Sequence, residues 1–522
     1  MSRADQWLKG TIILTIAGFI GKILGMVYRI PLQNLAGDEG LYIYQQIYPL
    51  ISLALMLSIY SFPSAISHTL SHELNQNAQA RLHNASAVFY LLCGTGFVIS
   101  LSLFLLAPEI VELMGDPALL EAVRMSSLLF LLIPFTAFLR GLFQTKGQPA
   151  AVAWSQIIEQ FIRVIGIIVA TILIVQTSAS LYTLGYVASL ATIVGTIVAF
   201  ALLLILFKQS RFRHQLSFGL PITISKKLVQ SLMTGMIIYS LTHILHLLLQ
   251  LVDVMTMVRG LEQFGLTFEQ AKVAKGVFDR GNPLIQLGLV FGSALAFAIV
   301  PAFEQVSGQI SKLDERLAFK VTWLLSLSAA GGLVVIMPWL NPLFYQSSDG
   351  TSTIQWLVML VFILSLLMAL SVMLQAYQVR LQQLLGVGLL LVLKVSLNIW
   401  LIPIHGIMGG ALSSVIASLL VLILCYITWI KQSQLTNLLP FTIKATGSVL
   451  LMVALVSLFS FGLEALGLLQ EDQRWLLSIA VVLMCGLGVV VILFMMTQSK
   501  LFNIYERQTL AQLPQIGKWF KD

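Results

Sequence analysis

The stretch Thr183-Leu-Gly-Tyr-Val-Ala-Ser-Leu-Ala-Thr-Ile-Val-Gly-Thr-Ile-Val-Ala-Phe-Ala-Leu-Leu-Leu-Ile-Leu-Phe207 contains neither a charged residue nor a proline. It is longer than the roughly 20 residues that an α-helix needs to cross the hydrocarbon core of a bilayer. Its apolar residues are continuous rather than alternating, which disfavours a strand of a transmembrane barrel. The stretch therefore predicts a membrane-spanning helix.

The rest of the chain has the same character. Of its 522 residues, 58% are hydrophobic and only 10% are charged, whereas a soluble domain carries roughly 25% charged residues. This composition predicts an all-α integral membrane protein and excludes a soluble enzyme, a secreted disulfide scaffold and a nucleic-acid-binding protein. Cys93, Cys425 and Cys485 lie in apolar segments, without disulfide or metal-ligand spacing.

Apolar windows predict about fourteen transmembrane helices joined by short connections. The first begins near Leu8, has no signal-peptide cleavage site and is expected to remain in the protein. The predicted segments, numbered one to fourteen, are 9–30, 41–66, 85–107, 121–143, 150–175, 180–207, 228–256, 277–303, 319–340, 354–377, 386–403, 408–430, 443–466 and 475–498.

The positive charges predict the orientation. An even number of spans places both termini on one side, and 20 of the 30 Lys and Arg residues fall on that side, including Arg140 and Lys146. Five fall on the other side and five lie within spans. Because cytoplasmic loops are enriched in Lys and Arg, we expect both termini in the cytoplasm.

A parallel internal repeat relates segments two and eight. Tyr48-Pro-Leu-Ile-Ser-Leu-Ala-Leu55 resembles Asn282-Pro-Leu-Ile-Gln-Leu-Gly-Leu289, and six segments separate the two. The repeat predicts two pseudo-symmetric six-helix lobes around a central cavity, with two C-terminal helices appended. The predicted parts are an N-terminal lobe (1–207), a basic loop (208–227), a C-terminal lobe (228–432), appended helices (433–499) and an amphipathic cytoplasmic tail (500–522), of which Ile504–Phe520 is expected to lie on the membrane surface.

Charges within the predicted spans indicate the cargo. An ionised side chain at mid-bilayer costs about 2.5–3.5 kcal/mol on insertion scales, so it usually faces a cavity or a partner. Five cations oppose three acids in this chain, and we therefore expect an anionic substrate. The cations are Lys22, Arg29, Arg163, Arg280 and Lys394, and the acids are Glu159, Asp253 and Asp279.

The helical position of each cation separates substrate-binding candidates from structural ones. Lys22 and Arg29 are seven residues apart and share a helix face, although Arg29 next to Pro31 can instead snorkel to the interface. Asp279 and Arg280 are adjacent and point about 100° apart, so they do not simply neutralise each other. This favours Arg280 as a ligand.

Two further assignments stay open. Glu159 and Arg163 are four residues apart and can pair along one helix, in which case their role is structural. Asn398 lies one helical turn from Lys394 and can share its site. The sequence favours neither of two roles for Lys394, a substrate ligand or a structural cation.

A polar stripe marks segment seven. His246, Gln250 and Asp253 lie at positions i, i+4 and i+7 of one helix face. The stripe is either a hydrogen-bonded packing feature or a coupling site for Na⁺ or H⁺. The membrane potential is the other candidate driving force, and no resident cofactor or metal is predicted. No nucleotide-binding or catalytic motif is present, so the sequence predicts a transporter rather than an enzyme.

These residues resemble a known family. Gly21-Lys-Ile-Leu-Gly-Met-Val-Tyr-Arg-Ile-Pro31, Arg140-Gly-Leu-Phe-Gln144, Ser155-Gln-Ile-Ile-Glu-Gln160 with Arg163, and Phe278-Asp-Arg280 are similar to the SpoVB/YtgP group. That group belongs to the multidrug/oligosaccharidyl-lipid/polysaccharide exporter superfamily, beside the MurJ-type lipid II flippases.

The resemblance implies a bacterial plasma-membrane flippase that moves undecaprenyl-diphosphate-linked peptidoglycan precursor (lipid II) outward by alternating access. Lys22 stands where these flippases carry a cavity arginine, Arg29 falls one residue from their second, and Asp279-Arg280 matches their Asp-Arg pair. In segment two, Leu50 to Leu55 contains none of the arginines that Gram-negative flippases carry there. The expected partners are a lipid-linked anionic oligosaccharide and membrane lipids, with the protein acting as a monomer. A flippase for another lipid-linked polysaccharide unit and a multidrug or cation antiporter are the alternatives.

Overall fold

In the computed structural model, the helices fall where the apolar segments predict them. The structure describes residues 21–503 except 22, 72–77, 211–224, 291–311, 378, 436–437, 470–472 and 499–500, together with 506–507. Within these ranges it is all-helical, and twelve helical runs are long and apolar enough to cross a membrane. They correspond to predicted segments two to seven and nine to fourteen. Segments one and eight lie partly outside the described residues, so the count of fourteen remains a prediction.

We number the helices in chain order. They are α1 (Arg29–Met56), followed by a π-helical turn (Leu57–Ser61), α2 (Phe62–Ser71), α3 (Ala78–Leu105), α4 (Ala107–Met114), α5 (Leu120–Ser127), α6 (Leu129–Thr145), α7 (Pro149–Gln176), α8 (Thr183–Gln209), α9 (Lys226–Gln263), α10 (Phe268–Asp279), α11 (Lys312–Tyr345), α12 (Thr351–Val358), α13 (Leu360–Ala376), α14 (Arg380–His405), α15 (Ile407–Ser433), α16 (Leu439–Ala465) and α17 (Arg474–Gln498).

A glycine separates the first two predicted spans inside α1. Gly37 has φ 70° and ψ −174°, a backbone conformation that residues other than glycine rarely adopt. The chain turns there, and the residues before it come from segment one while those after it begin segment two. This turn brings Arg29 on one side next to the tyrosines on the other.

The chain forms two compact units, Met1–Asp279 and Arg280–Asp522. In the first unit, α7 packs along α8, and α9 and α10 pack on α1. In the second unit, α14 packs along α15, and the appended helices α16 and α17 pack on α11. The first unit therefore includes α9 and α10, which the sequence-predicted boundary at 208–227 assigns to the C-terminal lobe.

Helix α7 has its polar residues on the inside. Trp154, Phe161 and Ile165 are exposed, whereas Glu159 and Arg163 are buried. An apolar outer face suits contact with lipid, and a polar inner face requires polar partners within the protein. Helix α7 thus carries charge into the interior of the first unit.

The described start of the C-terminal tail packs against the second unit. Leu501 and Phe502 are buried in the apolar core that α11 shares with α16 and α17, and Glu506 is fully buried. An ion pair between Glu506 and Lys320 holds this part of the tail on α11, and the membrane-surface location of Ile504–Phe520 stays a prediction. Residues 508–522 lie outside the described residues.

Candidate anion-binding site

Arg29 lies in an aromatic enclosure in the first unit. Its side chain is fully buried, so it does not snorkel to the interface. Its guanidinium carbon lies 3.9 Å from the centroid of the Tyr48 ring and 6.0 Å from that of Tyr44. Tyr28 completes the enclosure, because its hydroxyl hydrogen-bonds the Tyr44 hydroxyl. Tyrosine faces attract a cation without cancelling its charge.

The guanidinium of Arg29 keeps its hydrogen-bonding capacity. Nε, Nη1 and Nη2 are all buried, and none makes a hydrogen bond of good geometry within the described part of the chain; the Tyr28 hydroxyl is the one neighbouring group that interacts with the guanidinium as a hydrogen-bond partner. A buried donor without a partner is costly, typically by about 1–3 kcal/mol. An arrangement of this kind indicates a position where an acceptor binds.

Arg163 of α7 shares this environment. Its side chain is 3% exposed, and Nη2 donates to the Gln160 side-chain oxygen. Nε and Nη1 have no acceptor among the residues described. Arg163 interacts electrostatically with Arg29 and with the same three tyrosines. Two buried guanidinium groups therefore face one site, and an anion bound there would relieve their mutual repulsion.

Arg163 lies close to segment one at Gly25. A Cβ atom on Gly25 would lie 3.4 Å from Nη2 of Arg163 and 3.8 Å from Oε1 of Gln160. The site is thus formed where segments one, two and five meet. Lys22, the other predicted cation of segment one, lies outside the described residues.

Glu159 does not pair with Arg163, contrary to one of the alternatives that the sequence allowed. Its Oε2 lies 2.7 Å from Nη2 of Arg140, and its Oε1 accepts a hydrogen bond of 2.7 Å from Thr196. Arg140, which the sequence places at the end of its span, is fully buried inside α6. The carboxylate nearest to Arg163 along α7 is therefore already neutralised.

The predicted stripe on segment seven is present in α9. The Gln250 side-chain amide lies 3.1 Å from Nε2 of His246, and Nδ1 of His246 is buried without a partner in the described ranges. His246 interacts electrostatically with Arg29, and Asp253 is buried nearby. No group of three or more His, Cys, Asp or Glu side chains suited to a metal ion occurs among the described residues.

Asp279 takes its counter-ion from its own helix. Nζ of Lys275 lies 2.5 Å from Oδ1 of Asp279, and both side chains are buried. Asp279 also interacts electrostatically with Arg29 and Asp253. Because Lys275 offsets Asp279, the balance of charge around Arg29 and Arg163 remains positive, with Asp253 as the further acid.

Arg280 is bound within the second unit. Its Nη1 donates to the carbonyl oxygens of Ser347 and Asp349 at 3.3 and 3.5 Å, and to the side chain of Asn341 at 3.5 Å. Tyr345 lies under the guanidinium and donates its hydroxyl proton to the Arg280 carbonyl. These contacts tie Arg280 to the turn between α11 and α12, and its role as a ligand remains a prediction.

Lys394 is also bound within the second unit. Its Nζ lies 3.0 Å from the Gly410 carbonyl oxygen, 3.0 Å from Oγ of Ser413 and 2.6 Å from Oγ of Ser414. Asn398, predicted to share its site, accepts from Ser413. Since an ammonium group has three protons, this geometry favours the structural alternative for Lys394.

The profile of one protein family, described as "polysaccharide biosynthesis protein", matches residues 7–307, more than half of the chain. The chain belongs to this family. An uncharacterized membrane protein of Bacillus subtilis (strain 168), YabM, is 33% identical over 457 residues, which cover 86% of this chain and 85% of YabM. Stage V sporulation protein B of the same organism is 25% identical over 474 residues, which cover 84% of this chain and 85% of that protein. The expected resemblance to the SpoVB group is thereby confirmed.

Flippase and transporter structures share the fold of this polysaccharide biosynthesis protein. The lipid II flippase MurJ of B. subtilis is 29% identical over 216 residues, 39% of each chain. A MurJ structure in an inward closed conformation superposes with a TM-score of 0.69, at 14% identity, over 95% of this chain and 99% of that one. An inward-facing MATE family transporter superposes with a TM-score of 0.60, at 15% identity, over 81% of this chain and 98% of that one. These neighbours show that the chain has the fold of flippase and transporter structures, and its role as a transporter stays a prediction.

Several residues of the site were not predicted. Tyr44 and Tyr48 are four residues apart, so their shared helix face was visible in the sequence, and Tyr28 adjoins Arg29. The burial of Arg140 was not predicted either, because the residue lies near the end of an apolar window. Its acceptors come from two other helical segments, the π-helical turn and α7, and no local pattern reports them.

Proposed function

We propose that this polysaccharide biosynthesis protein is a flippase that carries a polyprenyl-diphosphate-linked oligosaccharide across the bacterial plasma membrane by alternating access. The observation that carries the proposal is the pair of buried arginines, Arg29 and Arg163, whose free donors face one site. A diphosphate offers several anionic oxygens, and guanidinium groups bind such oxygens through paired, charge-assisted hydrogen bonds. The prenyl chain can remain in lipid while the headgroup crosses.

Undecaprenyl-diphosphate-linked peptidoglycan precursor, lipid II, is the substrate we favour. The named lipid II flippase among the relatives supports this choice. Another lipid-linked polysaccharide unit is the alternative, and the family description supports it. Both substrates present the same diphosphate to Arg29 and Arg163, so the sugar is distinguished elsewhere on the protein.

A multidrug or cation antiporter is less consistent with the site. The MATE fold supports it, but a cationic drug requires buried carboxylates in excess. Around Arg29 and Arg163 the described acids are Asp253, Asp279 and Glu159, and Lys275 and Arg140 already offset the last two. The positive balance therefore favours an anionic cargo.

Reconstitution tests the proposal directly. The full-length protein is placed in vesicles containing fluorescent lipid II, and an impermeant reagent measures how much of it reaches the opposite leaflet. We expect transport by the wild type, loss of most of it in Arg163→Ala, and normal transport in the matched control Arg259→Ala, since Arg259 is exposed. Equal transport by Arg163→Ala and Arg259→Ala would contradict the site. A second lipid-linked oligosaccharide carried as fast as lipid II would contradict the choice of substrate.

The proposed orientation has its own test. In a variant without the three native cysteines, single cysteines replace Ser348, which is exposed, and Ser210. We expect an impermeant thiol reagent to label position 348 in intact cells and position 210 only after lysis. The reverse pattern would contradict cytoplasmic termini.

A further inference from the structure

We infer that Arg140 is a positioning residue that keeps the anion site charged, by holding the carboxylate of Glu159 away from Arg163. The inference rests on the proposed function, since it concerns the same site. It assigns a role to a residue that lies outside that site and contacts no substrate. Its basis is that Glu159 and Arg163 are spaced to form an ion pair within α7 but do not form one in the structure.

The unused pairing is the one within α7. Glu159 and Arg163 are four residues apart, the spacing at which a carboxylate and a guanidinium ordinarily pair on a helix surface. Both oxygens of Glu159 are instead occupied, one by Arg140 and one by Thr196, each at 2.7 Å. Arg163 is consequently buried with Nε and Nη1 free of acceptors in the described part of the protein.

Arg140 is fixed by acceptors on every side of its guanidinium group. Nε donates to Oγ of Ser155 at 3.0 Å, and Nη1 donates to Oγ and to the carbonyl oxygen of Ser58 at 2.7 and 3.3 Å. Nη2 completes the set with Glu159. A guanidinium held this way has one orientation, so the carboxylate bound to it has one position as well.

The Ser58 carbonyl is available because of the π-helical turn. In this turn the N–H of Phe62 bonds the Leu57 carbonyl, and the next residue, Pro63, has no N–H to offer. The carbonyl of Ser58 therefore lacks both of the donors that would ordinarily follow it in the helix. Arg140 donates a hydrogen bond to this carbonyl instead. Pro63 thereby helps to fix the guanidinium that pairs with Glu159 of α7.

The second contact of Glu159 depends on close packing of α8. A Cβ atom on Gly195 would lie 2.8 Å from the Glu159 carbonyl oxygen, so only glycine allows the two helices this separation. The neighbouring Thr196 then reaches Oε1 of Glu159. The carboxylate is thus held from two helices, α6 and α8, and turned from Arg163.

Removing Arg140 should therefore act through Glu159. Without Arg140, a buried carboxylate would lie one helical turn from a buried guanidinium that lacks an acceptor, and the two would pair. The site would lose the charge of Arg163 without any change at Arg163. Neutralising Glu159 as well should return that charge, a rescue that a purely structural role for Arg140 does not predict.

Binding of farnesyl diphosphate to the purified full-length protein in detergent, measured by calorimetry, tests the inference. We expect Arg140→Met to weaken binding about tenfold or more, the loss of one charged hydrogen-bonding partner. Arg140→Met/Glu159→Gln should return to within about threefold of the wild type, and Glu159→Gln alone should bind as the wild type does. Arg259→Met is the matched control, and the melting temperature of each variant is recorded.

The outcomes separate this inference from the proposed function. If Arg163→Met weakens binding but the double variant binds no better than Arg140→Met, the positioning role is wrong and the site stands. If Arg163→Met binds as the wild type does, the proposed site is wrong and the inference falls with it. Should Arg140→Met not fold, Thr196→Val removes only the other contact. It should weaken binding, and Thr196→Val/Glu159→Gln should restore it; absence of that restoration would equally overturn the inference.

Discussion

The guanidinium carbon of Arg29 lies 3.9 Å from the centroid of the Tyr48 ring, although the two residues belong to different predicted spans. The turn at Gly37 folds one span back along the other and so creates the contact. Because the ring attracts the cation without offering it a hydrogen-bond acceptor, Tyr48 can hold Arg29 in place while its donors stay available. This explains how a charge can be buried and still be ready for a ligand.

The ring of Tyr48, rather than its hydroxyl, should matter for this role. We expect Tyr48→Phe to bind farnesyl diphosphate nearly as the wild type does, and Tyr48→Ala to bind it about three- to thirtyfold more weakly, the range expected for a lost cation–π contact. Calorimetry on the purified variants measures both, with Tyr90→Ala as the control at an exposed tyrosine. Equal loss in Phe and Ala variants would assign the effect to the hydroxyl.

The ion pair between Lys320 and Glu506 should stabilise the second unit. Nζ lies 2.8 Å from Oε1, and Glu506 is also held by the backbone N–H of Asn503. Removing one partner of a buried pair costs about 3–5 kcal/mol, whereas replacing both with apolar side chains is often neutral. We therefore expect Glu506→Gln to lower the melting temperature and Lys320→Met/Glu506→Leu to recover much of it. A double variant less stable than Glu506→Gln would contradict this account.

Lys272 links α10 to α1 through an ion pair that should persist to alkaline pH. Its Nζ lies 2.8 Å from Glu39 and 2.7 Å from Glu269. Burial works to lower the pKa of Lys272, but hydrogen bonds to Glu269 and Glu39 outweigh it and raise the pKa above the ordinary lysine value. A pKa raised on folding contributes stability that is complete below the unfolded-state pKa, about 10.4, and is lost only as the pH rises through the folded-state value.

The stability difference between wild type and Lys272→Met should therefore be constant between about pH 7 and about pH 9. Melting temperatures of the detergent-solubilised proteins measure it, with Lys444→Met as the control at an exposed lysine. A difference that shrinks over this interval would show that Lys272 loses its proton earlier than its two carboxylate partners allow.

The sequence predicted the helices well because each span is a local property. A run such as Leu184–Phe207 must be helical in lipid, whatever lies beside it, since no water satisfies its backbone. Charges are different, because their partners come from other helices. Glu159 had a candidate partner within its own helix and took Arg140 instead, and Lys394 acquired acceptors only through packing against α15.

The division into units was less accessible to sequence reasoning. The repeat motif and the basic loop at 208–227 favour a boundary after segment six, but the compact unit extends to Asp279. Helix α10 joins it because Gly276 has no side chain. A Cβ there would lie 2.1 Å from the Asp38 carbonyl oxygen. Such a contact requires glycine, because even the methyl group of alanine would overlap with the neighbouring backbone. It cannot be predicted from amino-acid composition.

If Arg29 and Arg163 bind the same diphosphate, their losses should not add. Each neutralises part of one multivalent anion, so either single substitution to Gln should remove most of the affinity for farnesyl diphosphate, and the double variant should bind little worse than the weaker single one. Charge reversal gives a second comparison. Arg29→Glu should be more harmful than Arg29→Gln, because a carboxylate repels the diphosphate in addition to removing a donor. A site for a cationic cargo gives the opposite order. Strictly additive free energies for the two arginines would mean that they bind separate ligands, and Arg29→Glu binding as well as Arg29→Gln would exclude an anion at this position.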